Sequence, residues 1–205
     1  MVEWSIDAFR ACDSVRSIVV AAPAGHVGDL GDHDIGVVPG GATRAQSVAN
    51  ALEAVGTECV AIHDAARPLL TPELVEALVA GLAANPEAAG VIAAAPVTDT
   101  VKRAVKDLSG QLGTDTVPNR PLAIEQTEDR TELWGAQTPQ VFRTEALREA
   151  LAAAERPEEA TDEAMLVEWN GGTVLLHPVA AENLKVTTPL DLRVAELLLA
   201  DRAGS

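Results

Sequence analysis

Lysine is scarce in this chain. Only Lys102, Lys106 and Lys185 occur in 205 residues, and 15 basic residues face 31 acidic ones for a net charge of −16. That balance excludes a nucleic-acid binder whose affinity comes from spread-out Lys and Arg. It also makes Lys185, set between strand-like residues in Asn183-Leu184-Lys185-Val186-Thr187, more informative than a lysine normally is. Cysteine is nearly missing too: Cys12 and Cys59 show neither CxxC nor metal-ligand spacing. They read as small core residues in a reducing, cytoplasmic compartment. No apolar run reaches membrane-spanning length, and Met1-Val2-Glu3-Trp4 lacks the basic-then-apolar layout of a signal peptide, so no membrane partner is expected. A GxGxxG or Walker-type phosphate loop is absent as well. Gly25, Gly28 and Gly31 share a loop with Asp29 and Asp32, whose charges would repel a triphosphate.

What is present is an alternation of short apolar strands and amphipathic helices. Ser17–Ala22, Ile35–Val38, Cys59–Ile62 and Gly90–Ala95 read as buried parallel strands. Between them Val48, Leu52 and Val55 share one helical face, and Leu74, Leu78 and Leu82 another, the second opened by Thr71 as N-cap and Pro72 at the first helical position. Glu145–Ala154, Ala164–Trp169 (capped by Thr161) and the segment opened by Thr188-Pro189 read as further helices, with strands at Thr173–Leu176 and Asn183–Val186. The expected architecture is a single α/β domain over residues 1–205, a doubly wound, mostly parallel sheet with right-handed crossovers. One segment, 103–132, has no helical period and carries Gly110, Gly113, Pro118 and Pro121; its pieces Thr114–Val117 and Leu122–Gln126 suit an extended β-arm.

Polar residues gather where strands run out. Ile62-His63-Asp64-Ala65-Ala66-Arg67-Pro68 follows an apolar run, and Pro68 ends regular sheet, so Asp64 and Arg67 either close a surface turn as a pair or face a ligand. His63 reads as a structural strand-end residue. Gly40-Gly41-Ala42-Thr43-Arg44-Ala45-Gln46-Ser47 joins a strand to a helix, where glycines allow close approach and a helix N-terminus offers N–H groups to an anion. Pro96-Val97-Thr98-Asp99-Thr100-Val101-Lys102 and Gln137-Thr138-Pro139-Gln140 add a hydroxyl with charges and a proline-rigidified polar turn. Asp32-His33-Asp34 has metal-like composition but reads as a solvated acidic turn, and no metal site is expected of the chain. Thr188 with Asp191 reads as a capping box.

The segments GGATRAQSV, HDAARP, PVTDTVK, QTPQVF, ATDEA and NLKVTTPLDL, in this order and spacing, resemble the 2-C-methyl-D-erythritol 4-phosphate cytidylyltransferase family of the non-mevalonate isoprenoid pathway. The resemblance runs from Trp4 to Leu199. It implies a Rossmann-like nucleotidyltransferase sandwich, with 103–132 as a protruding arm through which two copies form a homodimer. It implies CTP and methylerythritol phosphate as partners, with Mg²⁺ held mainly by the CTP phosphates. Gly40, Gly41, Ser47 and Ala65 resemble nucleotide-binding positions; Asp64 and Arg67 resemble residues between nucleotide and sugar phosphate. Thr138, Thr161 and Lys185 resemble the sugar-phosphate pocket, and Thr100 and Arg130 resemble residues that reach a neighbouring subunit's site. The implied reaction brings two anions together, so Arg130 and Lys185 are the expected carriers of catalysis as fixed cations. Ribitol 5-phosphate or another polyol phosphate is the alternative acceptor, and a non-catalytic dimeric binding module the alternative role. The chain departs from the family in lacking the opening strand and its glycine-rich, basic triphosphate loop: Val2–Phe9 is already helix-like. The expectation is that Met1 is an internal methionine, that turnover is weakened and that stability is lowered.

Overall fold

The computed structural model describes residues 1–27, 34–105, 122–180 and 183–203. Helix starts follow the chemistry of their first residues. The hydroxyl of Thr71 accepts from the Leu74 amide at 3.4 Å to open α3 (Pro72–Ala84), and Thr43 does the same for Gln46 at 3.1 Å in α2 (Arg44–Leu52). At α6 (Pro189–Ala203), Asp191 Oδ2 collects the amides of Thr187 and Thr188, while Thr188 Oγ1 accepts from the Asp191 amide at 3.2 Å. Helix α5 (Glu163–Trp169) corrects the expected cap: Asp162, not Thr161, accepts from the Met165 amide, at 3.0 Å. A carboxylate three residues before its donor amide is a stronger acceptor there, and its charge suits the helix dipole. Helices α1 (Val2–Arg10) and α4 (Thr144–Ala153) complete the set among the described residues.

By internal packing the chain divides into two units, Met1–Ala94 with Ala136–Ser205, and Ala95–Gly135. In the larger, strand β1 (Ile18–Ala22) pairs in parallel with β2 (Ile35–Pro39). A second sheet takes β3 (Cys59–Ile62), β4 (Gly90–Pro96), β7 (Trp134–Arg143) and β8 (Val174–Pro178) in the order β3-β7-β4-β8. The α/β reading holds, but the sheet is mixed: β4 and β8 are parallel, whereas β3 and β7 are antiparallel from Cys59↔Arg143 to Ile62↔Gln140. The residues read as a polar turn, Gln137–Gln140, lie inside strand β7. Asn183–Val186, expected as a strand, has no regular structure; the Val186 amide makes a bond to the Ala66 carbonyl at 2.7 Å.

Alternate residues of the central strands sort onto opposite faces, which is what covers both sides of a sheet. Val91, Ala93 and Val141 pack with Leu78 and Leu82 of α3, while Ile92 and Phe142 pack with Val48, Leu147 and Leu166 from α2, α4 and α5. Gly90 is required beneath this second face: a Cβ there would lie 2.3 Å from the Phe142 ring.

The β1–β2 pair is not continuous with this sheet. Among the described residues β1 pairs only with β2, and β3 only with β7. A cavity of about 540 Å³ is lined by both β1 and β3. Consecutive residues line it from both strands, Ile18 to Ala21 and Cys59 to Ile62. A space over a sheet face would meet every second residue, so this one lies edge-on to both strands. Helix residues Ile6, Phe9 and Val75 bound it along with Val48, Ala51 and Leu52.

In the smaller unit, β5 (Lys102–Ala104) runs antiparallel to β6 (Ile124–Thr127), with a register shift at Arg103/Ala104. Lys102 bonds Thr127 at 2.7 Å and Arg103 bonds Glu128 at 2.7 Å across the ladder. Val105, Leu122 and Ile124 are exposed. The expected strand piece Thr114–Val117 lies outside the described residues.

Candidate active site

Strand β2 runs out at Pro39, and the chain turns through Gly40 and Gly41 into α2. A Cβ on Gly41 would lie 2.4 Å from the Gln46 side chain, so only glycine fits this turn. The turn is closed by its own helix. Gly41 N–H donates to Ser47 Oγ at 3.0 Å, Ser47 Oγ donates to the Thr43 carbonyl at 3.0 Å, and Ala42 N–H donates to Gln46 Oε1 at 2.9 Å. Gly40 N–H donates to the Ala22 carbonyl at 2.7 Å. The amides of Gly40, Gly41 and Ala42 are therefore engaged internally, and of the first helix amides that of Gln46 is taken by Thr43 Oγ1. The turn is preformed by these bonds.

At the end of β3 a chain of hydrogen bonds ties the strand to β7. The Asp64 amide donates to Thr138 Oγ1 at 3.0 Å, that hydroxyl lies 3.1 Å from His63 Nδ1, and His63 Nε2 lies 3.1 Å from the Arg67 carbonyl. A carbonyl only accepts, so Nε2 carries the proton and Nδ1 accepts from the Thr138 hydroxyl. The imidazole is neutral in this arrangement. Burial pushes its pKa from 6.5 down to about 4, against the bond to the Arg67 carbonyl and the charge of Asp64. His63 is thus a structural residue, as its strand-end position implies.

Asp64 and Arg67 do not pair with each other through their side chains; each takes partners from distant sequence. Asp64 Oδ1 accepts from Arg44 Nε at 3.2 Å, and Oδ2 accepts from Lys185 Nζ at 2.8 Å. Arg44 also reaches the buried Glu163, NH1 to Oε1 at 2.5 Å. Burial alone would raise the Asp64 carboxyl, but the Lys185 bond and the charges of Arg44 and Lys185 outweigh it and hold the group below its ordinary 3.8. For Glu163 burial wins, and its pKa lies above the usual value despite Arg44. Arg67 donates instead to the Asn183 carbonyl at 2.7 Å, and Asn183 Nδ2 donates to the Thr138 carbonyl at 2.8 Å and to Gln137 Oε1 at 3.0 Å. Burial lowers the Arg67 pKa, against the pull of Asp64.

Buried polar atoms without a partner gather in this same region. Arg67 Nε, Glu163 Oε2 and Asn183 Oδ1 are three of the five such atoms among the described residues. Unsatisfied groups are costly in a core and concentrate where a ligand or chemistry uses them.

Of the residues singled out in the sequence, Asp64, Arg67, Thr138 and Lys185 are joined in one network, and Gly40, Gly41 and Ser47 form the turn that precedes Arg44's helix. Ala65 is exposed beside Asp64. Thr161 is exposed at the head of α5, next to Asp162, with its hydroxyl 3.7 Å from Met165 Sδ. Thr100 and Arg130 belong to the smaller unit, where Arg130 donates to the Thr98 carbonyl. The residues missed are Arg44, Glu163 and Asn183. Arg44 stood in plain view inside GGATR, but no local spacing links positions 44, 64, 163 and 185. Among the described residues no three His, Cys, Asp or Glu side chains converge to hold a metal, and no helix is long and apolar enough to cross a membrane. The Cys12 thiol is pushed up to about 11 by burial and by Glu76, Glu73 and Asp13, so it is unreactive near neutral pH.

Comparison with known proteins places this geometry in a family. The family model described as 2-C-methyl-D-erythritol 4-phosphate cytidylyltransferase matches residues 1–201. An enzyme of that name from Burkholderia multivorans is 39% identical over 217 residues, covering all of this chain and 86% of its own length. Another from Paraburkholderia phymatum is 40% identical over 216 residues with the same coverage. The crystal structure of the Thermus thermophilus enzyme superposes with a TM-score of 0.77 at 34% identity, covering 97% of this chain and 88% of that one.

Proposed function

The chain belongs to the 2-C-methyl-D-erythritol 4-phosphate cytidylyltransferase family, and from that premise we propose how its strand-end network serves the transfer. It is a CTP-dependent nucleotidyltransferase that moves a cytidylyl group from CTP to 2-C-methyl-D-erythritol 4-phosphate in isoprenoid precursor synthesis. A phosphate oxygen of the sugar phosphate attacks the α-phosphorus of CTP. One P–O bond forms as the bond to the β-phosphate breaks, and pyrophosphate leaves. Both reactants are anions, so the barrier is lowered chiefly by fixed cations that hold them in line.

The observation that carries the assignment of roles is the cation–carboxylate network at the ends of β2 and β3. Lys185 is its exposed cation, with 44% side-chain exposure and a side-chain bond to Asp64 at 2.8 Å. In this reading it turns to the attacking phosphate as a compact charge. Arg67, with Nε unpartnered, and Thr138 flank the sugar phosphate beside Asp64, and Thr161 borders the same pocket. Gly40, Gly41, Ser47 and Ala65 border the nucleotide, the closed glycine turn offering its carbonyls to the base and ribose. Arg130 and Thr100 act on the site of a second copy, in a homodimer joined through the arm. Exposed Val105, Leu122 and Ile124 on that arm support such an interface.

Mg²⁺ enters this reading on the triphosphate. Both oxygens of Asp64 are engaged by cations, so the donor set fits an ion carried by phosphate oxygens and water rather than by a protein cage. Such an ion neutralises charge on the CTP phosphates. The proposed compartment is the cytoplasm, where the thiols of Cys12 and Cys59 stay reduced.

Pyrophosphate release measured with CTP and either methylerythritol phosphate or ribitol 5-phosphate tests the assignment. Turnover with methylerythritol phosphate is expected, and Lys185→Met should lose about 100-fold or more. Exclusive turnover of ribitol phosphate would overturn the acceptor. Sugar-phosphate binding without CTP affinity would point to the non-catalytic role.

A further inference from the structure

Arg44 has no role in the reading above, yet it has the most demanding set of contacts in the network. Its Nε holds Asp64 Oδ1 at 3.2 Å and its NH1 holds Glu163 Oε1 at 2.5 Å. The two anchors of Asp64 are unlike. Lys185 is an ammonium on a flexible stem with no second carboxylate partner in the network, whereas Arg44 is tied to a carboxylate that is 1% exposed. The planar guanidinium can grip two acids from different nitrogens at once, which an ammonium cannot do with the same directionality.

We propose that Arg44 is a positioning residue: pinned by Glu163, it is the fixed holder of Asp64, and Lys185 is the releasable one. The inference rests on the cytidylyltransferase reading only for what draws Lys185 away, an incoming phosphate. When Lys185 leaves, Asp64 keeps Arg44, stays ionised and stays in place. Without Arg44, Asp64 would have Lys185 as its one direct cationic partner, and every phosphate reaching Lys185 would have to break that pair first. Arg44 therefore frees Lys185 for substrate by relieving it of Asp64. Arg44 in turn offsets part of the cost of burying the Glu163 carboxylate, whose second oxygen has no partner.

The groups that face Asp64 define how it titrates. They are Arg44 from α2, Lys185 from the segment before α6, His63 and Arg67 from its own loop, the neutral Thr138 from β7, and Glu163 from α5 through Arg44. The test is a ¹³C NMR titration of the Asp64 carboxyl in the full chain, with and without inorganic phosphate, for wild type, Arg44→Gln, Arg44→Lys and Lys185→Met. In wild type, phosphate should perturb Lys185 while Asp64 remains ionised. Arg44→Gln should raise the Asp64 midpoint and weaken phosphate binding about 10-fold. Arg44→Lys should fall between, because it restores charge without bridging two acids. An Asp64 midpoint unchanged in Arg44→Gln, or phosphate affinity unchanged beside a raised midpoint, would overturn the proposal. If Arg44→Gln does not fold, Arg44→Lys decides: wild-type midpoint together with wild-type phosphate affinity overturns it. The titration needs no turnover, so a failure to transfer cytidylyl groups would count against the proposed function and leave this result readable.

Discussion

Strands β1 and β4 look alike on paper and differ in their surroundings. Both are short apolar runs, Ile-Val-Val-Ala-Ala and Gly-Val-Ile-Ala-Ala-Ala-Pro. Strand β4 lies between β7 and β8 with helices on both faces, and Gly90 to Ala94 are all buried. Among the described residues strand β1 has one partner, the 540 Å³ cavity borders it, and Ile18 to Ala21 are only partly buried. Strand β3, paired among the described residues with β7 alone, is partly buried along its whole length. Burial is a property of the neighbours a strand finds, not of its own apolarity.

The sharpest way to test that contrast is to remove equivalent volume from each side. Phe142→Ala, in the closed sheet, should cost about 3–5 kcal/mol in urea unfolding, because a fully buried ring leaves a void that its tight neighbours cannot fill. A smaller effect is expected at the joint between the regions, where His63 ends β3. Its folded pKa of about 4 lies below 6.5, so the unfolded chain binds the proton first. His63 therefore contributes stability that is complete above pH 6.5 and erodes as pH falls toward 4, on the order of 2–3 kcal/mol. Unfolding free energies from pH 7 to 4.5 should show that slope, and His63→Gln should flatten it; an unchanged slope would remove His63 as its source. The smallest effect belongs to the open edge. Val20→Ala should cost about 1 kcal/mol or less, since its side chain already borders the cavity. A loss as large as that of Phe142→Ala would break the comparison.

Much of this architecture was legible in the sequence, and what escaped did so for definite reasons. Thr71-Pro72 and Thr188 with Asp191 gave their helices away because capping is a local hydrogen-bond problem. Apolar runs marked β1 to β4 for the same kind of local reason. Strand β7 was hidden by Gly135, Pro139 and two glutamines, residues that normally argue against a strand. Gln140 lies buried there because its side chain is satisfied from far away, donating to Asp162 at 2.8 Å and accepting from the Ala164 amide at 3.3 Å. The site divides in the same way. His63, Asp64, Arg67 and Lys185 were visible as polar residues at strand ends. The partners they choose were not, since Asp64 passes over Arg67, three positions away, for Arg44 and Lys185. Pairing of that sort is settled by which strand ends meet, and nothing in the local spacing encodes it.

The edges of β1 and β3 that have no partner among the described residues line a cavity bounded by Ile6, Phe9 and Val75, so other copies of the chain meet them when that packing loosens. Open edges along apolar strands are adhesive, offering main-chain donors and acceptors to any extended chain that approaches. A net charge of −16 keeps such surfaces apart at a distance. Added salt shortens the reach of that repulsion from about 10 Å at 0.1 M to about 3 Å at 1 M, while leaving the edges as sticky as before. Cohesion between partly opened copies is thus expected to grow with added salt, and dilute buffer to limit it.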